Sequence, residues 1–358
     1  GHMAKKKRKT LPSDFYEILR RGDIDEIKAV FDKCEITAYA GRCDLNTALH
    51  HYGIPAEIIP WLVEQGLDVN TLNSYGRTPL NFHAGNNAKV VKVLFELGGD
   101  VAKPDNYGNT PLHSAASGYV PDNVKLLVEQ GVDLNARDNI WKRTPLEEAL
   151  ISCRGIDIGK CAKVAEILVD AGAEVTPAVK EYVRKIGEDV EFHRGNFHPD
   201  YVEEIDTGLA KLYKLFDVEP VKARKIHDGV SPIVVEGHTW KEQFAELWEL
   251  LIPSHGAAET LQGEVVRIAG RVQDEMNRNG GCNWNRDYRM MLDDFVKHVA
   301  TGVSLPEAEL EEVKSLASSI SPRGDFNEDS LDRLCELATK WVLLNPEPVK
   351  LETPRYKR

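Results

Sequence analysis

The chain has 358 residues, a net charge of −12 and 42% hydrophobic residues. Because a single core stops growing at about 250–300 residues, this length predicts more than one domain. The acidic balance makes nucleic acid an unlikely main partner, since binding to phosphates requires a basic face. No apolar run reaches the roughly 18–20 residues that a bilayer span needs, so we expect no membrane segment.

The first ten residues form a segment that we place outside any domain. Residues 1–3 look like the remnant of a cleaved purification tag. The run from Lys5 to Lys9 is basic and is typical either of a nuclear-localisation or nucleic-acid segment or of a solvated, disordered tail. We assign residues 1–10 to the tag remnant and a solvated basic tail. The six cysteines include no CxxC pair, which favours free thiols in a reducing cytoplasm.

The first helical pattern lies on both sides of Gly22. Phe15 and Leu19 recur at helical spacing before this glycine, and Ile24 and Ile27 recur after it. The pattern predicts two short helices joined by a turn. We assign them to a cap for the repeats that follow, because a stacked array exposes apolar faces at its ends.

A five-residue phrase then recurs four times. Its threonines are Thr47, Thr78, Thr110 and Thr144, and they stand 31, 32 and 34 residues apart. Three copies continue Thr-Pro-Leu, and each copy leads into a leucine-rich stretch that ends in glycine. A threonine suits the cap and a proline suits the first turn of a helix, so each copy predicts the start of a helix.

Residues 11–216 therefore resemble ankyrin-repeat proteins, whose period is about 33 residues with a Thr-Pro-Leu-His phrase. The resemblance implies an all-α solenoid of helix pairs with short β-hairpin tips, used as a protein-binding surface. It also implies that His50 and His113 hydrogen-bond within their turns and bind no metal. The helical stretch from Pro177 to about Phe216 lacks the phrase and is assigned to the second cap.

Partners of ankyrin repeats generally bind at the hairpin tips and the concave face. An aromatic residue stands three positions before each of the last three threonines, and we expect a row of rings on successive tips. The alternative is that each ring packs against its own hairpin. Lys142 stands where the second and third copies have Gly76 and Gly108, and the fourth copy also carries an insertion near residues 152–160. The predicted partner-binding residues are Tyr75, Lys103, Tyr107, Arg137, Trp141 and Lys142.

The second half of the chain has a different pattern. Residues 217–238 lose helical periodicity and predict a linker. Capping boxes at Thr239 and Ser304, together with four of the six tryptophans, predict a helical bundle domain over residues 239–347. We assign residues 348–358 to a tail.

One helix of this domain carries a charged stripe with spacings of 3, 4, 4 and 3 residues. Three interpretations are open: a solvent-exposed face with i,i+4 pairs, a self-association interface or an active site. Glu264 and Glu275 would lie about 16 Å apart on one helix, too far for a paired-carboxylate hydrolase. The stripe consists of Glu264, Arg267, Arg271, Glu275 and Arg278.

Short phrases around this helix resemble small helical bacterial proteins of uncharacterised role. They are Leu-Gln-Gly-Glu at 261–264, Arg-Asn-Gly at 278–280 and Asn-Trp at 283–284. This resemblance implies no activity.

The sequence has no phosphate-loop, dinucleotide, zinc-protease or serine-hydrolase motif, so we predict no catalytic residue, metal or cofactor. We predict a cytoplasmic, non-enzymatic protein whose repeats bind a protein partner. Its helical domain would mediate self-association or contact a second partner. One alternative is an effector or toxin-type enzyme, with a cleft that joins the Glu/Arg stripe to His298 or Asp293. Another alternative is an immunity or antitoxin-type binder.

Overall fold

A computed structural model describes residues 5–358 and divides the chain into two compact units. The repeat unit comprises the chain up to Val190 and Phe197–Val221. The helical unit comprises Glu191–Asn196 and Lys222–Arg358. The predicted tag remnant lies outside the described residues. Within residues 5–358, no helix is both long and apolar enough to cross a membrane.

The repeat unit begins with a small sheet inside the segment that we predicted to be a tail. Strand β1 (Arg8–Thr10) pairs in parallel with β2 (Cys34–Ala40), which pairs antiparallel with β3 (Asn46–Thr47). The tail prediction is therefore wrong for residues 8–10. The side chains of β1 are all exposed, and backbone pairing holds the strand, so no hydrophobic pattern marks it.

The two short helices predicted on either side of Gly22 are present as α1 (Phe15–Arg21) and α2 (Ile24–Val30). Gly22 ends α1 with a φ of 70°, a left-handed conformation that glycine adopts without steric cost. The Asp23 side chain caps α2 by accepting the backbone N–H groups of Asp25 and Glu26.

The first repeat departs from the predicted pattern because it has no first helix. Residues 48–53 form turns, and the chain becomes helical only at a 3₁₀ turn, Ala56–Ile58, that leads into α3 (Ile59–Glu64). Ala48 replaces the helix-starting proline here, and Gly53 at a φ of 81° and Pro55 interrupt the following residues.

The other three repeats are complete helix pairs, as predicted. The hydroxyls of Thr78, Thr110 and Thr144 each accept a backbone N–H from the first turn of the following helix. The leucine of every phrase is buried, which gives the stacked repeats one continuous core. The helices are α4 (Pro79–Ala84), α5 (Ala88–Glu96), α6 (Pro111–Ser117), α7 (Pro121–Glu129), α8 (Pro145–Ile151) and α9 (Ile158–Asp170), followed by α10 (Pro177–His193) and α11 (Pro199–Phe216).

The helical unit is built around one central helix, α13 (Leu261–Arg278), which packs against α12 (Trp240–Leu251), α14 (Arg286–His298) and α16 (Glu328–Leu344). Trp341 and Phe295 are among its largest fully buried side chains, so this unit has a core of its own. The helices are α12 (Trp240–Leu251), α13 (Leu261–Arg278), α14 (Arg286–His298), α15 (Glu307–Ser319) and α16 (Glu328–Leu344).

Two segments that we predicted to lie outside the helical domain belong to this unit. From Lys222 onward the predicted linker is part of it. Arg224 donates to the carbonyl of Glu249 at 2.6 Å near the end of α12, and buried Ile233 donates its N–H to Pro346 at 2.8 Å. Bonds of this kind join segments far apart in the chain and leave no periodic signal in the sequence, so the linker prediction is wrong for residues 222–238.

Residues 348–358, which we call the strap, are not a tail. The N–H of Leu261 donates to Val349 at 2.7 Å, and the N–H of Leu351 donates to Glu259 at 3.1 Å. Tyr356 is buried in the core of the helical unit. The strap therefore packs against the start of α13.

Two buried histidines, His50 and His83, and the half-buried His51 lie near the junction of the first two repeats. Nε2 of His50 donates to the carbonyl of Arg77 at 2.8 Å, and Nε2 of His83 donates to that of Leu49 at 2.8 Å. Burial lowers the pKa of His50, His51 and His83 to about 4. These side chains are therefore neutral in the folded chain at neutral pH. The bonds of His50 agree with the structural role that we predicted.

We expect the repeat unit to lose stability as the pH falls from about 6.5 towards 4. In this window the unfolded chain takes up protons that the folded histidines do not accept, and each histidine costs about 2 kcal/mol at pH 5. Urea unfolding of the full chain between pH 7.5 and 5 measures this loss.

The variant His83→Gln, which keeps a donor for the Leu49 carbonyl, should reduce the loss. The matched control His255→Gln changes an exposed histidine and should follow the unmodified chain. A free energy of unfolding that stays flat between pH 7 and 5 would contradict this account.

Candidate protein-binding groove

The tips of the last three repeats are each shaped by one buried Asn or Asp. Oδ1 of Asn73 accepts the N–H groups of Tyr75 at 3.1 Å and Arg77 at 3.0 Å. Oδ1 of Asp105 accepts those of Tyr107 at 2.9 Å and Asn109 at 3.0 Å. The same type of contact therefore fixes the backbone at each tyrosine.

Asp138 plays this part in the fourth repeat. It accepts the N–H groups of Ile140 at 3.1 Å, Trp141 at 2.9 Å and Arg143 at 2.7 Å. Burial opposes ionisation of this carboxyl, but the backbone donors outweigh it and hold its pKa below the ordinary value. Trp141 is thus held by a carboxylate that stays charged.

Backbone bonds also join each tip to the next. The N–H of Asn106 donates to the carbonyl of Tyr75 at 2.9 Å, and the N–H of Asn139 donates to that of Tyr107 at 2.7 Å. Both carbonyls belong to residues of the predicted aromatic row. The positions of these two tyrosines are therefore fixed by bonds within their own tip and to the following tip.

The three aromatic side chains of the row are exposed. Tyr75 and Tyr107 are 37% and 40% exposed, and their ring centroids lie 6.4 Å apart. Trp141 is 65% exposed, with the guanidinium carbon of Arg143 5.0 Å from its ring centre. An exposed tryptophan supported in this way is a typical anchor for a partner.

A groove of about 520 Å³ lies beside this row. Tyr107, Ile140 and Trp141 line it, and so do Tyr52 and Phe82, which form an aromatic pair with ring centroids 4.4 Å apart. The rest of the lining is mostly polar and includes Asn81, Asn86, Asn109, Ser114, Ser117, Asp138 and Glu148.

The groove brings together only part of the predicted set. Tyr107 and Trp141 line it and Tyr75 neighbours Tyr107, whereas Lys103, Arg137 and Lys142 do not line it. Arg137 instead donates to the carbonyl of Lys142 at 2.7 Å and pairs with Glu147 at 3.3 Å, so it holds its own tip. The alternative of rings covered by their own hairpins does not fit their exposure.

Sequence reasoning missed Phe82, Tyr52 and Ile140. Phe82 follows the Thr-Pro-Leu-Asn phrase by one position, where the next copies have Ser114 and Glu148, which also line the groove. Comparing this position between copies would have identified a shared face. Tyr52 lies in the irregular first repeat, where no such comparison was available.

The charged stripe on α13 is largely buried. Glu264, Arg267 and Glu275 are only 0%, 2% and 3% exposed, so the interpretation as a solvent-exposed face is wrong for them. Oε1 of Glu264 accepts Nε of Arg267 at 2.8 Å and the N–H of Ala258 at 3.0 Å. Only Arg278 of the stripe is exposed, and Arg271 is half-buried.

The strap explains why these charges are tolerated inside the unit. The hydroxyl of Tyr356 donates to Glu264, and Arg267 donates to the carbonyl of Arg358. Burial and the adjacent Glu264 carboxylate raise the pKa of Tyr356, so the phenol keeps the proton that it donates. The network thus joins two parts of one chain, and Glu264 does not line a cleft.

Comparison with known families gives one match. The model for ankyrin repeats (3 copies) matches residues 45–138 and 104–178. The N-terminal region is therefore composed of ankyrin repeats, as the recurring phrase predicted, and these repeats precede a helical domain. No curated protein matches the chain.

Lys142 gives a stability test of the fourth tip. It adopts a φ of 55°, where the two preceding tips have Gly76 at 69° and Gly108 at 80°. A left-handed conformation costs a lysine about 1 kcal/mol relative to glycine, so Lys142→Gly should raise the free energy of unfolding by about that amount. Urea unfolding of the full chain measures the change.

Gly108→Ala is the matched control for this test. Its new Cβ would lie 2.9 Å from the backbone nitrogen of Asn139, so this variant should be destabilised. An equal or lower stability for Lys142→Gly would show that the fourth tip is not strained.

Proposed function

We propose that the ankyrin repeats bind a protein partner through the groove and the exposed row of Tyr75, Tyr107 and Trp141. Ankyrin repeats act as protein-interaction modules, and this region is composed of them. The observation that supports the site is the row itself: three exposed rings held on neighbouring tips. Tyrosine and tryptophan in such a setting are the residues that most often dominate binding energy.

Preorganisation supports the same surface. The backbones of Tyr107 and Trp141 are already ordered before binding, because their N–H groups donate to Asp105 and Asp138. Binding therefore costs these tips less conformational entropy than it would cost a mobile loop. The polar lining of the groove suits a segment that presents hydrogen-bonding groups together with an apolar side chain.

We further propose that the protein acts by binding and not by catalysis. In the helical unit, Glu264 and Arg267 are saturated by contacts with each other, Ala258 and the strap, which is what a structural pair requires. An immunity or antitoxin-type role would use the same groove against one cognate partner. Stoichiometric inhibition of a captured partner enzyme would distinguish that case from simple recruitment.

Self-association through the helical unit is a second proposal, supported by an apolar patch. Val234, Val303, Leu343 and Leu344 are exposed. They lie close together, because Asn345 bonds to the backbone of Val303 and Ile233 bonds to Pro346. Light scattering on the full chain tests this, and a single species of 40.1 kDa would contradict it.

We expect Trp141→Ala and Tyr107→Ala to weaken partner capture by at least about tenfold each, the effect of a typical hot spot. The experiment immobilises the full chain, recovers bound proteins from the source cells and measures the affinity of each recovered protein for the variants.

The matched control is Tyr201→Ala, which removes an exposed tyrosine from α11, outside the groove. A partner that binds both tip variants as tightly as the control would contradict the proposed surface.

A further inference from the structure

A cavity of about 720 Å³ lies in the helical unit, beside α13. Arginines, aromatic residues, amides and the two carboxylates Asp274 and Glu275 line it. This volume is within the roughly 300–1,000 Å³ range of small-molecule sites. The lining includes Arg271, Arg278, Arg358, Phe244, Trp248, Tyr288, Asn279 and Asn283.

Arg271 is the residue of this cavity whose bonding is incomplete. Its Nε is buried without a hydrogen-bond partner, and it forms no ion pair within 4 Å among residues 5–358. A buried donor left unpaired carries a desolvation penalty, and nothing within the described chain offsets it here. The charged stripe therefore contains one arginine whose role is not explained by contacts within the chain.

The nearby carboxylates are already engaged with other groups. Glu275 accepts the N–H of Asn283 at 2.6 Å and the amide of Asn279 at 3.1 Å. Burial opposes ionisation of Glu275, but these bonds lower its pKa overall, so it is charged at neutral pH. Asp274 pairs with Arg278 at 3.0 Å. Neither carboxylate neutralises Arg271.

A second guanidinium is held at the same cavity by aromatic contacts. Arg358 lies over the ring of Tyr288, with its guanidinium carbon 5.5 Å from the ring centre. Tyr288 in turn stacks on Trp284 with centroids 5.0 Å apart. With Arg278, three cations face the two carboxylates Asp274 and Glu275, so the lining is locally basic in a chain of net charge −12.

Aromatic surface forms another part of the wall. Phe244 and Trp248 lie on α12 with ring centroids 6.1 Å apart. Gly270 of α13 lets the Trp248 ring approach the helix, since a Cβ there would lie 2.2 Å from a ring carbon. The cavity thus has a flat apolar surface within the same space as the arginines.

We propose that this cavity binds a nucleotide. Guanidinium groups bind phosphate through paired, charge-assisted hydrogen bonds, and Arg271 lines the cavity with no carboxylate partner within 4 Å among the described residues. Aromatic side chains stack on bases, and the amides of Asn279 and Asn283 lie where they can contact polar edges of the ligand. A bare phosphate would leave the aromatic wall unused.

The test is titration of the full chain with AMP, GMP, CMP and UMP, followed by tryptophan fluorescence and calorimetry. Inorganic phosphate and adenosine are titrated separately as control ligands, because phosphate contacts only the arginines and adenosine lacks the phosphate. At least one nucleotide should bind about tenfold or more tightly than either control ligand, because both parts of the cavity contribute.

Arg271→Gln should weaken nucleotide binding by at least about tenfold, and Arg271→Lys should restore part of it because the charge remains. Both variants should fold, since Nε of Arg271 makes no bond to lose. The matched control Arg323→Gln removes an exposed arginine that does not line the cavity and should bind normally.

Three results would overturn the proposal. They are the absence of binding by all four nucleotides at about 1 mM, equal affinity of Arg271→Gln and the unmodified chain, and equal affinity for phosphate and nucleotide. None of these results bears on the groove of the ankyrin repeats, so this proposal and the proposed function can fail separately.

Discussion

A buried Asn or Asp side chain accepts backbone N–H groups at each of the last three repeat tips, and the proposed binding surface depends on this contact. Asn73, Asp105 and Asp138 accept hydrogen bonds from backbone N–H groups in the tips, which lie outside the helices and so have no helical carbonyl as a partner. Leaving such a donor unpaired would cost about 1–3 kcal/mol. The carbonyls of Tyr75 and Tyr107 each accept an N–H group from the following tip, so backbone hydrogen bonds connect the three tips in a row. The exposed rings are carried on this row of tips, and their order follows from it.

In the helical unit, buried charged groups also have their hydrogen bonds satisfied by other parts of the chain. Glu264 and Arg267 are buried beside each other, and the strap supplies the remaining partners. A buried ion pair gains little net stability unless all its bonds are made, but removal of one partner is costly. The pair therefore specifies where the strap packs. Arg271, one turn further along α13, lacks such a partner and lines a cavity, which is why we distinguish it from the rest of the stripe.

The sequence predicted the features that repeat with a period and missed those that depend on distant segments. The four threonines and their leucines located the helix pairs. The first helix of the first repeat is absent, because Ala48 replaces the helix-starting proline and Gly53 interrupts the following residues. The strand Arg8–Thr10 is held by backbone pairing, and residues 222–238 are held by backbone bonds and by the Arg224 side chain to distant segments, so neither leaves a periodic pattern. The stripe on α13 has the same spacing whether water or protein covers it. The hydroxyl of Tyr356 bonds to Glu264 from 92 residues further along the chain, so no local window could have identified the burial of Glu264.

The central claim is that the tips form a rigid surface before any partner binds. Amide hydrogen–deuterium exchange on the free chain tests it directly, since the N–H groups of Tyr107, Asn109, Trp141 and Arg143 each bond to a buried carboxylate. We predict that these four amides exchange as slowly as those of the flanking helices. Exchange at the rate of an unstructured peptide, while the helices remain protected, would contradict the account.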